Sequence, residues 1–198
     1  MVSTSWSRTN IPSMAARHIS VREAQNTLSE LVKMLSTTRQ QVVVELPETR
    51  GVVLVSEEYL FALEETLELM SDAEHLDRIK AGEQALASGN FVSQGQFEQE
   101  MGVSIRTMPT RWRLFVSGPA RRAILSLPIE MSRARVVEFL TDDLAERPGE
   151  VGVELEGQLS RRYVASVADQ RVVYRLDPTN RAVRVVDVQR GERVFMAR

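Results

Sequence analysis

Sixteen arginines and no lysine carry the positive charge of residues 108–198, a charge that suits a nucleic-acid face or an acidic partner. Arg161, Arg162, Arg171 and Arg190 stand in or beside short apolar runs. A guanidinium on a strand points a planar fork of donors at an oxyanion, which can bind it or stabilise developing charge. Tyr174 adds a hydroxyl to the same run as Arg171. Near the other end, Arg17, His18 and Arg22 cluster where a helix begins, and a helix N-terminus adds its own positive field. Arg50 lies in an acidic turn, Glu45-Leu-Pro-Glu-Thr-Arg-Gly51. Other chemistries are thin. Without cysteine there is no disulfide and no thiolate nucleophile. His18 and His75 are too far apart in sequence to suggest a histidine-rich metal site, so neither metal nor cofactor is expected. No apolar run approaches the ~20 residues that span a bilayer, which points to a cytoplasmic protein without a membrane partner.

These groups need elements to position them. Ser20 and Glu23 form the S-x-x-E capping pattern, and Val21, Ala24, Leu28, Leu31 and Leu35 follow at helical spacing. Residues 41–46 and 52–55 read as two strands joined at Pro47 and Gly51. Ser56 can cap a second helix with Tyr59, Leu60, Leu63, Leu67 and Met70 on one side. A helix from Asp72 to Ser88 carries Ala73, Leu76, Ile79 and Leu86 in its stripe and stops at Gly89-Asn90. Ser93 can cap a short turn ending near Met101. The second half reads as a strand over 112–116, a helix after Pro119, and a helix from about 129 to 145. Strands over 162–167, 171–176 and 183–188 follow, the last two joined by the turn Asp177-Pro-Thr-Asn180.

Charge divides the chain as well. Residues 1–107 hold 9 Lys+Arg against 15 Asp+Glu, and residues 108–198 hold 16 against 12. Opposite signs on the halves favour their mutual attraction, or a nucleic-acid face on the basic half.

Two blocks of sequence resemble known families. ISVREAQNTLSELV, VVLVSEEYLFALEETLELMSD and the polar amphipathic stretch after them, about 18–101, resemble the Phd/YefM antitoxins. WRLFVSGPARRAILSLP, EFLTDDLAERPGEVG and QRVVYRLDPTNRAVRVVDV, about 111–198, resemble the RelE/ParE toxins. The resemblance implies an α+β chain in five parts. Residues 1–17 are a disordered leader, 18–71 a small α/β dimerisation and DNA-binding unit, and 72–101 a toxin-neutralising tail. Residues 102–110 are a linker and 111–198 a toxin domain of two helices on an antiparallel sheet. Leu76, Ile79, Leu86, Phe91 and Phe97 would anchor the tail on the toxin.

The implied function is that of a fused type II toxin–antitoxin protein. Its partners would be a second copy of itself, operator DNA through Arg17, His18, Arg22 and Arg50, and either ribosome and mRNA or a gyrase complex. For a RelE-like ribonuclease the catalytic positions map to Arg171, Arg190, Arg162 and Tyr174. The chain departs from that pattern in several places. Glu156 stands where the family often has Arg, and Val164 and Ser166 where a nuclease carries Lys or Arg. Gly191 replaces an Arg and Phe195 a Tyr, and a phenyl ring cannot carry a proton. In the first helix the pattern is R-E-A-Q rather than S-E-A-R. These departures point to an alternative, a catalytically degenerate fusion acting as a non-enzymatic regulatory or interaction protein.

Overall fold

Capping residues fix the starts of most helices. Ser20 accepts from the Glu23 N–H at 3.2 Å and opens α1 (Val21–Leu35). Ser56 accepts from the Tyr59 N–H at 3.1 Å ahead of α2 (Glu57–Ser71). Asp72 accepts from the Glu74 N–H at 2.8 Å and opens α3 (Ala73–Ala87). The computed structural model describes residues 16–47, 51–103, 111–128 and 132–191. Most of the expected leader and linker, Arg50 and Phe195 lie outside the described residues. The chain divides into two compact units, Met1–Phe61 and Ala62–Arg198, and the division falls inside α2.

The first unit is a three-stranded sheet with α1. Strand β2 (Val42–Glu45) pairs antiparallel with β3 (Val52–Leu54), as the hairpin signal predicts. A further strand, β1 (Arg17–Ser20), pairs parallel to β2. Sequence reading leaves β1 in the leader and the cap, because a four-residue strand with one buried side chain has no readable alternation. Ile19, Ala24, Leu31, Leu35 and Val42 form a small core. Leu28, Val32, Leu46, Val52 and Val53 remain at least half exposed.

The second unit is built on a six-stranded sheet. Its strands are β4 (Phe91–Ser93), β5 (Arg113–Ser117), β6 (Val153–Glu154), β7 (Tyr163–Val167), β8 (Gln170–Asp177) and β9 (Ala182–Arg190). Their order is β4-β5-β9-β8-β7-β6. The sheet is not wholly antiparallel, since β5 pairs parallel to β9. Between β5 and β9 the chain passes through three helices and three strands, and β9 comes to lie beside β5 in the same direction.

Helices cover both faces. On one lie α5 (Gly118–Ser126), α6 (Ala134–Thr141) and the short α7 (Asp143–Glu146), which bury Ile124, Val136, Leu140 and Leu144 against Val172, Tyr174, Val183 and Val185. The single helix expected over 129–145 is thus two, broken at Asp142 (φ −110°, ψ −79°). Residues 129–131 lie outside the described residues. On the other face Leu69 of α2 and Ile79 and Leu86 of α3 pack on Val164, Val173 and Val186, with Leu155 and Leu159 beside them. The chain then adds β4 to the free edge of β5. Helix α4 (Gln94–Met101) buries Phe97 in the opposite core. Gly102, in the left-handed conformation (φ 68°), ends α4.

Candidate functional site

The face of the sheet under α2 and α3 carries Arg171 and Arg162, two of the four residues expected to be catalytic. Alternation along β8 puts Arg171 and Val173 on this face and Val172 and Tyr174 on the other. Two rows cross the strands. Ser166, Arg171 and Gln189 align in one, and Val164, Val173 and Asp187 in the next. A register shift between Val173 and Tyr174 leaves Val186 without a cross-strand partner. It lets Val186 meet the apolar side of α3 while Asp187 next to it meets a cation.

Arg171 is the centre. Its side chain is 2% exposed, and Glu65 and Glu68, one helical turn apart on α2, close over it. Its Nε lies 2.8 Å from Glu65 Oε2, its Nη1 donates to Glu68 Oε1 at 2.6 Å, and its Nη2 donates to Glu68 Oε2. Burial raises the Glu65 carboxyl above the ordinary carboxylate range, and the Arg171 charge only partly offsets this. Burial alone would lower Arg171, but the hydrogen bond to Glu68 and the charge of Glu65 outweigh it and hold the guanidinium protonated. Gly191 lies against Arg171, and a Cβ there would stand 2.6 Å from its Cγ. The missing side chain at 191 is what gives Arg171 its room.

Three further polar contacts tie the helices to the sheet. Arg78 of α3 donates to both carboxylate oxygens of Asp187 (3.1 and 3.0 Å) and to the Val188 carbonyl at 2.6 Å. Glu83 accepts two bonds from Arg162 (2.7 and 2.9 Å) and lies 3.7 Å from Arg175. Thr66 Oγ1 accepts from the Glu156 N–H at 2.8 Å. Between Arg78 and Glu83 the backbone of α3 approaches so closely that a Cβ on Gly82 would collide with the Val186 carbonyl. Only glycine lets the helix lie this low.

The chain is similar to a chain of a toxin–antitoxin complex. Over 41% of its length it matches the complex RelBE2 from Mycobacterium tuberculosis, at 30% identity and a TM-score of 0.39, and covers 99% of that chain. No family model matches the chain, and no curated protein does.

The residues singled out from sequence distribute as follows. Arg171 and Arg162 are on the covered face, each held by carboxylates. Arg190 ends β9 with its side chain 87% exposed, 3.9 Å from Asp169. Tyr174 is on the opposite face, where its hydroxyl donates to the Pro148 carbonyl at 2.7 Å and its ring stacks on Tyr163. Burial raises its pKa well above the ordinary tyrosine value. Arg171 and Tyr174 are therefore not brought together.

Leu76, Ile79, Leu86 and Phe91 all join the cluster on the Arg171 face, and Phe97 joins the other. Arg17, His18 and Arg22 are neighbours on β1 and the first turn of α1, but Arg17 is paired to Glu23 and His18 Nδ1 lies 2.6 Å from Glu45.

The sequence reading missed Glu65, Glu68, Arg78, Glu83 and Asp187. On α2 it expected Leu60, Leu63 and Leu67 inward. The helix instead buries Ala62, Glu65, Thr66 and Leu69, and Leu67 is 67% exposed. Arg171 and the Glu156 N–H demand polar partners, and only that side of α2 supplies them.

Among the described residues no group of three or more His, Cys, Asp or Glu could hold a metal. Among them, too, no helix is long and apolar enough to cross a membrane.

Proposed function

We propose that the chain is a self-neutralising toxin–antitoxin fusion. The α2–α3 segment and the tail to Met101 act as a built-in antitoxin over a RelE/ParE-like domain of residues 111–198. The observation that carries the reading is that Arg171 and Arg162, cations of the sheet face suited to phosphate, are each bound by carboxylates from that segment. An apolar stripe of Leu76, Ile79 and Leu86 lies beside them. Uncovered, the domain would inhibit growth, by cleaving RNA or by acting on a gyrase complex. The first unit would pair with a second copy through the exposed Leu28, Val32, Val52 and Val53. Arg17, His18 and Arg22, with Arg50, would contact operator DNA in the cytoplasm.

A second reading is favoured by the floor of the covered face. Val164 and Ser166 stand where the resemblance puts Lys or Arg, Val173, Val186 and Asp187 complete the floor, and Tyr174 faces away. In this reading the fusion is catalytically degenerate and serves as a non-enzymatic regulatory or interaction protein.

Expression of residues 108–198 beside the full chain separates the two. Growth arrest by the short form alone supports the covered toxin. Normal growth with a short form that is folded by circular dichroism supports the degenerate fusion. Equal arrest by both forms would refute the cover.

A further inference from the structure

Asp187 does not suit a face meant for a polyanion. It is 1% exposed, centred on β9, and aligned with Val173 one row from Arg171. Uncovered, it would set an ionised carboxylate in the middle of the face and repel each phosphate approaching its arginines. Covered, it meets Arg78 through two parallel N–H···O bonds, a geometry that a lysine ammonium cannot reproduce. The signs therefore alternate along the contact. The helices present acid at Glu65 and Glu68, base at Arg78 and acid at Glu83. The sheet answers with Arg171, Asp187, then Arg162 and Arg175. Gly82 lies between Arg78 and Glu83 at the point of closest approach, so neighbouring positions on α3 fix both sign and depth.

We propose that Asp187 sets what the sheet face accepts. Its ligand is a helix presenting one arginine between acidic groups, which makes the α2–α3 segment of a second copy of this chain its partner whenever the chain's own segment is displaced. The uncovered face takes that helix in preference to nucleic acid. This deepens the cover reading by naming the occupant, and it holds whether the uncovered domain is toxic or inert.

The test uses the full chain and two fluorescent peptides of residues 57–101, one natural and one carrying R78E. In a full chain carrying R78E, the built-in segment is repelled by Asp187. That chain should capture the natural peptide about 100-fold more tightly than the R78E peptide, the loss expected when one partner of a buried charge pair is replaced. A full chain carrying D187R should show the reverse preference. The natural chain, with its face occupied, should capture neither. Equal affinity of the R78E chain for the two peptides would overturn the proposal, and so would its binding of a labelled oligoribonucleotide as tightly as the natural peptide. R78E changes a partly exposed side chain on α3, so the test does not depend on D187R folding. Growth is not read, so a failure of the toxin assay leaves this result standing.

Discussion

Replacing Arg171 with Met keeps an apolar stem between the two carboxylates and removes the charge that, among the described residues, satisfies Glu65. Glu65 is 1% exposed, so the variant leaves a carboxylate in an apolar setting with Glu68 one turn away. Breaking a buried pair by removing one partner costs about 3–5 kcal/mol. The low end applies here, because the Glu68 side chain is 37% exposed and can turn to water, so we expect a loss of about 3 kcal/mol at pH 8.

The pH dependence follows from the direction of the Glu65 shift. Its folded pKa is already raised above the ordinary 4.5, and losing Arg171 raises it further. A raised carboxyl contributes stability that is complete below its unfolded value and is lost as pH climbs through the folded value. The deficit of R171M should therefore be smaller at pH 5 than at pH 8, with a slope no steeper than about 1.4 kcal/mol per pH unit. Glu65→Gln supplies the control. In the natural background it should cost about 1 kcal/mol or less, since Glu68 still holds Arg171. In the R171M background it should stabilise at pH 8, because it removes the unpaired charge. Urea unfolding followed by Trp112 fluorescence, with Trp6→Phe in all variants, reads each value. If E65Q lowers stability equally in both backgrounds, or R171M costs the same at pH 5 and pH 8, these three side chains are not a desolvated charge cluster.

Three other outcomes follow from the packing. Gly82→Ala should lift α3 from Val186 and cost about 2–3 kcal/mol, with amide exchange accelerating across residues 76–87 before the rest of the second unit. Phe97→Ala, at a site with no exposure, should cost about 4 kcal/mol in the same urea assay, although the residue lies in what reads as a polar tail. Val32→Asp places a charge on a side chain that is 59% exposed; it should leave the monomer fold intact yet abolish self-association in sedimentation.

Legibility from sequence tracks the range of the contact. Caps at Ser20 and Ser56, and the stripe of Leu76, Ile79 and Leu86, were readable because each depends on neighbours within a few residues. The partners of Arg171 were not, because Glu65 and Glu68 stand 106 and 103 positions away and read as an ordinary solvated helix side. Strands β1, β4 and β6 were missed for a related reason. Each has four residues or fewer and gains its hydrogen bonds from a strand elsewhere in the chain. One signal was available and unused. Arg171 and Tyr174 are three apart on one strand, and strand alternation puts an odd separation on opposite faces. The family pattern names both positions, but the backbone of this chain cannot present them together.

The charge asymmetry of the chain then takes on a specific meaning. A basic half suggests a nucleic-acid surface only if its cations face solvent, since affinity for a polyanion grows with the number of phosphates that free cations neutralise. Here Arg162 and Arg171 face the acids of the α2–α3 segment, Arg121 faces Glu100 of the tail, and Arg111 and Arg184 face acids of their own half. Much of the −6 and +4 read from the two halves is thus consumed in one internal contact. That contact joins groups of both signs in fixed register, which a smooth field between oppositely charged halves would not require. Added salt should accordingly weaken the folded cover little, because buried pairs are poorly screened. The same salt should slow a displaced α2–α3 segment as it finds a second copy, because that approach runs through water.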